Sequence, residues 1–233
     1  MSWVAGVDGF RSQWCVVLWH LGTGELRARI VPAFSGLLEL PEHPSTVGVD
    51  IPIGLPEVSP PGGRACDREA RRVLGRRASC VFSVVGRSAL TGSSRAESDR
   101  LSRSAGGIGV GAQAWGLSAK LREADAAMTP ERQQLIHEVH PELSFRALNE
   151  GVPMARGKKT AAGAQERVEA LVRGGFPREF VQRLPAGLRV GRDDFLDACA
   201  AAWTARRVAA GRARRLPAAV ERDARGLDMA IWC

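Results

Sequence analysis

The sequence predicts an α/β fold, on three observations. Apolar runs of β-favouring residues concentrate near the N-terminus and are separated by tight, glycine-bearing connections. Helical spacing of apolar residues dominates most of the chain beyond them. Within that helical region one alternating run, Leu135-Ile136-His137-Glu138-Val139-His140, returns the chain to strand.

Taken in order, Trp3 to Val7 and Gln13 to His20 read as strands joined by Gly9-Phe10-Arg11-Ser12, and Glu25 to Ala33 follows the Gly22-Thr23-Gly24 turn, giving a three-stranded antiparallel meander. Phe34 to Leu40 suits a short helix with Ser35 as its cap, and Pro41 to Ser45 breaks it before the strand Thr46 to Ile51. The chain then leaves the sheet through Ile51-Pro52-Ile53-Gly54-Leu55-Pro56 and the loop Pro60-Pro61-Gly62-Gly63. Arg64 to Arg77 has Cys66, Ala70, Val73 and Leu74 at helical spacing, with arginines on its other faces. Val81 to Gly111, rich in Ser, Gly and Arg, is expected as a loop, followed by a helix over Ala112 to Ala127 and a helix start or turn at Thr129-Pro130-Glu131. Pro141 to Asn149, Lys158 to Gly174, Glu179 to Leu184 and Asp193 to Ala210 read as helices, and Leu227 to Cys233 as a closing strand. One folded domain over residues 1–233 is expected, with an inserted helical and loop region at about 57–130.

Bulk properties narrow the function. With 45% apolar and 25% charged residues the chain has the composition of an ordinary globular protein. It shows neither a basic, apolar leader nor eighteen apolar residues in a row, so no signal peptide and no membrane partner are expected, and a cytoplasmic location follows. Five widely spaced cysteines without a C-x-x-C pair argue against a disulfide framework and against structural zinc, although Cys66 lies among arginines that favour a thiolate. The net charge of +8 comes almost wholly from arginine, since the only lysines are Lys120, Lys158 and Lys159. Arginine clusters at 64–77 and 206–215 suit a polyanionic partner, against the simpler reading that base composition has replaced lysine by arginine throughout.

The chemistry-bearing residues are acids in costly places. Asp8 closes the first apolar run, Asp50 closes the fourth strand, and Asp197 stands among Leu196, Ala198, Cys199 and Ala200. Burial of such acids without a partner is unfavourable, and a shared divalent cation removes that cost. If the strands of Asp8 and Asp50 are neighbours, their acids emerge at one edge, and a helix adds Asp194 and Asp197 from one face. Carboxylate oxygens suit Mg²⁺ or Mn²⁺. Simpler roles compete: Asp193 as a helix cap, Asp194 as a first-turn acid, Asp8 as a turn acceptor. Glu138, His140 and Glu142 form a second acidic centre suited to orienting water or exchanging a proton, against the simpler reading of a first-turn acid and a packed histidine. Arg64, Arg68, Arg71, Lys158 and Lys159 are the natural phosphate contacts, against the simpler reading of solvated faces.

Eight phrases then carry a resemblance: Gly6-Val7-Asp8-Gly9, Val49-Asp50-Ile51-Pro52, Arg64-Ala65-Cys66-Asp67, Val81-Phe82-Ser83, Gln113-Ala114-Trp115, Glu138-Val139-His140-Pro141-Glu142, Lys158-Lys159-Thr160 and Asp193-Asp194-Phe195-Leu196-Asp197-Ala198. Together, in this order, they resemble domain of unknown function family 429, a group of predicted nucleases. Val85 departs from the proline expected there. The resemblance implies an RNase-H-like fold with a central mixed five-stranded sheet flanked by helices. It implies metal ligation by Asp8, Asp50, Asp194 and Asp197, and the Asp194-x-x-Asp197-Ala198 phrase is also similar to the closing helix of Holliday-junction resolvases.

The expectation is therefore a hydrolase, a Mg²⁺- or Mn²⁺-dependent nuclease cutting phosphodiester bonds of DNA or RNA by a two-metal mechanism. The alternatives are a nucleic-acid-binding or interaction module of the same fold without catalysis, and a phosphotransferase or ATPase of a related fold. The last is disfavoured because Gly9-Phe10-Arg11-Ser12-Gln13-Trp14 lacks a second glycine for a phosphate loop. Oligomeric state is left open, with a homodimer suggested only by analogy to branched-DNA enzymes.

Overall fold

A computed structural model describes residues 2–233 of the chain. In chain order its main elements are β1 (Trp3–Phe10), β2 (Gln13–His20), β3 (Leu26–Val31), a 3₁₀ turn at Phe34–Glu39, β4 (Thr46–Val49), α1 (Ala65–Leu74), α2 (Arg87–Leu90), α3 (Arg95–Ser104), α4 (Ala112–Gly116), α5 (Ser118–Ala127), β5 (Ile136–Glu138), α6 (Pro141–Leu148), α7 (Ala161–Arg173), α8 (Arg178–Gln182) and α9 (Arg192–Ala209). The chain divides into two compact units: residues 1–51, 134–214 and 232–233 form the first, and residues 52–133 with 215–231 form the second. Among the described residues no helix is long and apolar enough to cross a membrane.

The first unit is built on a mixed five-stranded sheet of order β3-β2-β1-β4-β5. β1, β2 and β3 are the antiparallel meander, and β4 and β5 add on parallel to β1, each reached through a crossover. A two-residue turn, Arg11-Ser12, joins β1 to β2, with Arg11 at φ 49°, the left-handed conformation such tight hairpins require. Both faces of the central strands are buried: Ala5, Val7, Val16 and Leu18 on one, Val4, Cys15, Val17 and Trp19 on the other. The second set shares a core with Phe145, Val168, Leu171, Phe195, Leu196 and the alanines of α9. The β3 edge carries Arg27 and Arg29, both paired with Glu42, a charged rim that discourages further strand addition.

The second unit carries buried and half-buried ion pairs. Arg64 is 2% exposed; its guanidinium grips Asp67 and donates to the carbonyls of Ile53 and Gly54, while Asp67 accepts from the Arg64 backbone N–H at 2.9 Å and so caps α1. Arg87 holds both Asp125 and Asp223, and Asp223 also accepts from the N–H groups of Leu55, Arg225 and Leu227. Burial opposes ionisation of Asp223, yet Arg87 and the N–H groups of Leu227 and Arg225 together hold its carboxyl below the usual range.

Several local expectations are corrected. The stretch 81–111 is not one long loop, because Ser94 accepts from the Glu97 N–H while Glu97 accepts from Ser93, and this capped start launches α3. The expected helix over 112–127 divides at Gly116-Leu117 into α4 and α5. The stretch 34–40 forms a 3₁₀ turn entered from Ala33, without a cap from Ser35. Asp193 does not cap α9: Gly191 occupies that position, and Asp193 and Asp194 both lie in the first turn. The closing strand shrinks to Ile231–Trp232.

Candidate active site

The site is set by how closely α9 lies on the sheet. Gly6 of β1 and Gly48 of β4 are register partners. A Cβ on Gly6 would stand 1.9 Å from the Ala202 nitrogen and 2.2 Å from the Ala198 carbonyl, and one on Gly48 would stand 2.9 Å from the Ala201 carbonyl. Backbone therefore rests on backbone, with Ala198, Ala201, Ala202 and Ala205 fully buried. The alanine run of α9 and the two glycines explain each other: any larger side chain at the contact would lift the helix.

That contact brings the acids together. Val7 pairs with Val49, and the Asp50 N–H donates to the Val7 carbonyl at 2.9 Å, so Asp50, just past the end of β4, lies beside Asp8, which is still within β1 and paired with Cys15 of β2. Asp8 is on the same strand face as Gly6, the face α9 covers. Asp8 and Asp197 are 7% and 2% exposed; Asp50 and Asp194 are partly buried. Burial, and then the charges of Asp50 and Asp197, push the Asp8 carboxyl well above its usual range, with a smaller contribution from Asp194. Burial likewise raises Asp50, with His140 and Lys158 pulling it back and Glu142 adding to the rise. Asp197 is pushed up to about 6 by burial, against the pull of Lys158. Asp194 is raised by burial and by its neighbour Asp193, and drawn down by Lys158 and Lys159.

Lys158 is the cation of this cluster. Its Nζ donates to Asp197 Oδ2 at 2.6 Å. Burial works against its charge, but Asp197, Asp8 and Asp50 together hold the ammonium above its ordinary range. Lys159, next in the chain, is exposed. Glu142, at the first turn of α6, is buried and paired with Arg167 of α7, a residue with no exposed side-chain surface. Arg167 also donates to the carbonyls of Arg156 and Gly163 and lies 5.2 Å over the Phe145 ring.

Not every expected site residue joins them. Glu138 pairs in register with Val49, so strand alternation puts it on the sheet face opposite Gly48 and Asp8. Arg64 is no phosphate contact, because its guanidinium is buried on Asp67 and two carbonyls. Arg68 is exposed and donates to the Gly63 carbonyl. Cys66 is fully buried, which removes it as a nucleophile. Arg167 is the residue that sequence reasoning passed over, and its one signal was the i, i+4 spacing to the core residue Leu171.

Among the described residues, no three His, Cys, Asp or Glu side chains stand as a ready set of metal ligands. The donor chemistry nevertheless fits a hard divalent cation, since Asp8, Asp50 and Asp197 supply only carboxylate oxygens and raise one another's charge cost. One of those oxygens is engaged by Lys158 instead.

No curated protein and no solved structure matches the chain. A protein family described as Protein of unknown function (DUF429) matches residues 6–222, from the first strand past the last long helix, so the chain belongs to that family.

Proposed function

We propose that the first unit is an RNase-H-like, divalent-metal-dependent nuclease that hydrolyses phosphodiester bonds of DNA or RNA. One observation carries the reading: the carboxylates of Asp8 in β1, Asp50 just past β4 and Asp197 in α9 disfavour one another's charge under burial, with Lys158 bonded directly to Asp197. Residual negative charge of this kind disfavours the fold and favours a divalent cation. The strand order β3-β2-β1-β4-β5 with β2 reversed supports the fold assignment.

Asp8, Asp50, Asp194 and Asp197 would hold Mg²⁺ or Mn²⁺. Such ions, when bound, activate a water and stabilise the leaving oxygen. The rest is work for the chain's own residues. Lys158 and exposed Lys159 hold non-bridging phosphate oxygens. His140, whose charge reaches Asp50, exchanges protons with water at that edge. Arg167 fixes Glu142 so that its carboxylate borders Asp50 without drifting.

A second reading, a nucleic-acid-binding module without chemistry, draws on the Lys158–Asp197 pair, which already balances part of the charge. A labelled panel of single-stranded, duplex, hybrid and junction substrates, incubated with Mg²⁺ or Mn²⁺, separates the two. Cutting that EDTA, Asp8→Asn and Asp197→Asn each abolish is the expected result. Salt-sensitive binding of the panel with no cutting, unchanged in both variants, would favour the binding module.

A further inference from the structure

The ammonium of Lys158 and the absence of a ready ligand set among the described residues meet at one atom, Asp197 Oδ2. We propose that Lys158 is the resident counter-cation of the acid cluster and competes with a divalent metal for the same carboxylates, leaving Asp197 when the metal arrives. The inference rests on the metal reading above and adds to it a residue that sets metal affinity.

The backbone around Lys158 is held from both sides. Upstream, Glu166 accepts from the N–H groups of Ala155 and Arg156 at 2.7 and 2.9 Å, and Arg167 donates to the Arg156 carbonyl. Downstream, Thr160 caps α7 by accepting from the Gly163 N–H, and its hydroxyl donates to the Gly157 carbonyl. That carbonyl lies so close to α7 that a Cβ on Gly163 would stand 2.0 Å from it. With its backbone fixed, Lys158 is aimed into the cluster as part of the fold, unlike its exposed neighbour Lys159.

The side chain is free to leave where the backbone is not. It is 37% exposed, against 3% for Asp197, so its stem reaches solvent while its head meets a buried acid. A lysine stem has four rotatable carbons, and swinging it outward needs no movement of the loop. One ammonium then gives way to one divalent ion, which pairs with more of the acid charge than Lys158 does. The released ammonium stands beside Lys159 at the rim, where a phosphate would meet both.

The test is Mn²⁺ titration by calorimetry, with melting temperatures measured in EDTA and in Mn²⁺, on the wild type, Lys158→Met and Lys158→Gln. The methionine keeps the stem's apolar length, and the glutamine keeps a hydrogen bond to Asp197 without charge, so one stands in if the other fails to fold. The expected result is Mn²⁺ affinity at least about tenfold tighter in the variants, with lower melting temperatures in EDTA and a larger Mn²⁺-induced rise than in the wild type. Equal or weaker affinity in the variants would overturn the competition and leave the metal reading standing. Absence of Mn²⁺ binding in folded wild type and variants alike would overturn both.

Discussion

At Asp8 the folded chain keeps a carboxylate that burial and three neighbouring acids all disfavour, while one Asp8 oxygen accepts from the Gly9 N–H at 2.7 Å. Asp8→Asn keeps the shape and an oxygen for that N–H and removes the charge. In EDTA its melting temperature should therefore rise, by about 3 °C for each ~1 kcal/mol of repulsion relieved, while the proposed nuclease activity, assayed with metal, is lost. A fall on calorimetric melting would show that Asp8 serves stability and would remove it from the site. The reason this residue was legible in sequence is the same as its cost: an acid at the end of an apolar run is conspicuous, as is Asp197 among alanines. Arg64 and Arg167 were not legible, because a long cation on an amphipathic helix looks alike whether it reaches water or folds back onto Asp67 or Glu142.

Among the elements, the contact of α9 with β1 governs everything the site needs. Adding one methyl by Gly6→Ala forces a Cβ against the Ala202 nitrogen and the Ala198 carbonyl, backbone atoms that cannot rotate away. The expected loss is about 3 kcal/mol or more, seen as a melting temperature lower by roughly 10 °C, with the proposed Mn²⁺ binding weakened because Asp197 moves with its helix. An unchanged melt would mean that α9 sits farther from the sheet than described. The strands and long helices were readable from periodicity, which reflects burial on one face. Helix α3 was not, since its Ser-Arg composition resembles a loop and only the Ser94 to Glu97 capping pattern identifies it. The Gly6 and Gly48 partnership was invisible for a different reason: it depends on strands far apart in sequence being adjacent in register.

For the whole molecule, a charge of +8 and a pI near 10.2 imply long-range attraction to polyanions, which is independent of the acid cluster's chemistry. The arginines Arg206, Arg207 and Arg212 gather at the C-terminal end of α9, with Arg206 and Arg207 about 20 Å of helix from its acidic start. Arg206 lies over Trp19 and Arg207 over Trp203, so their aromatic partners hold them in place. Affinity for duplex or single-stranded DNA should fall by at least about tenfold between 50 and 200 mM salt, whether or not metal is present, measured by fluorescence anisotropy. A salt-independent affinity would point to a small ligand instead of a polymer.

The division of the chain has a consequence for its synthesis. The first unit takes β1 to β4 from residues 1–51, waits through residues 52–133 for β5 and α9, and receives a late pairing when Cys233 bonds to Arg214. The second unit is likewise incomplete until Asp223 reaches Arg87. A ribosome making this protein therefore finishes neither unit before it has begun the other: until residues 192–233 emerge, Asp8 of β1 and Asp50 just past β4 lack α9, and Arg87 lacks one of its two carboxylates. Assembly of the acid cluster waits on translation of α9, so a product cut short before that helix would emerge with its charges unassembled.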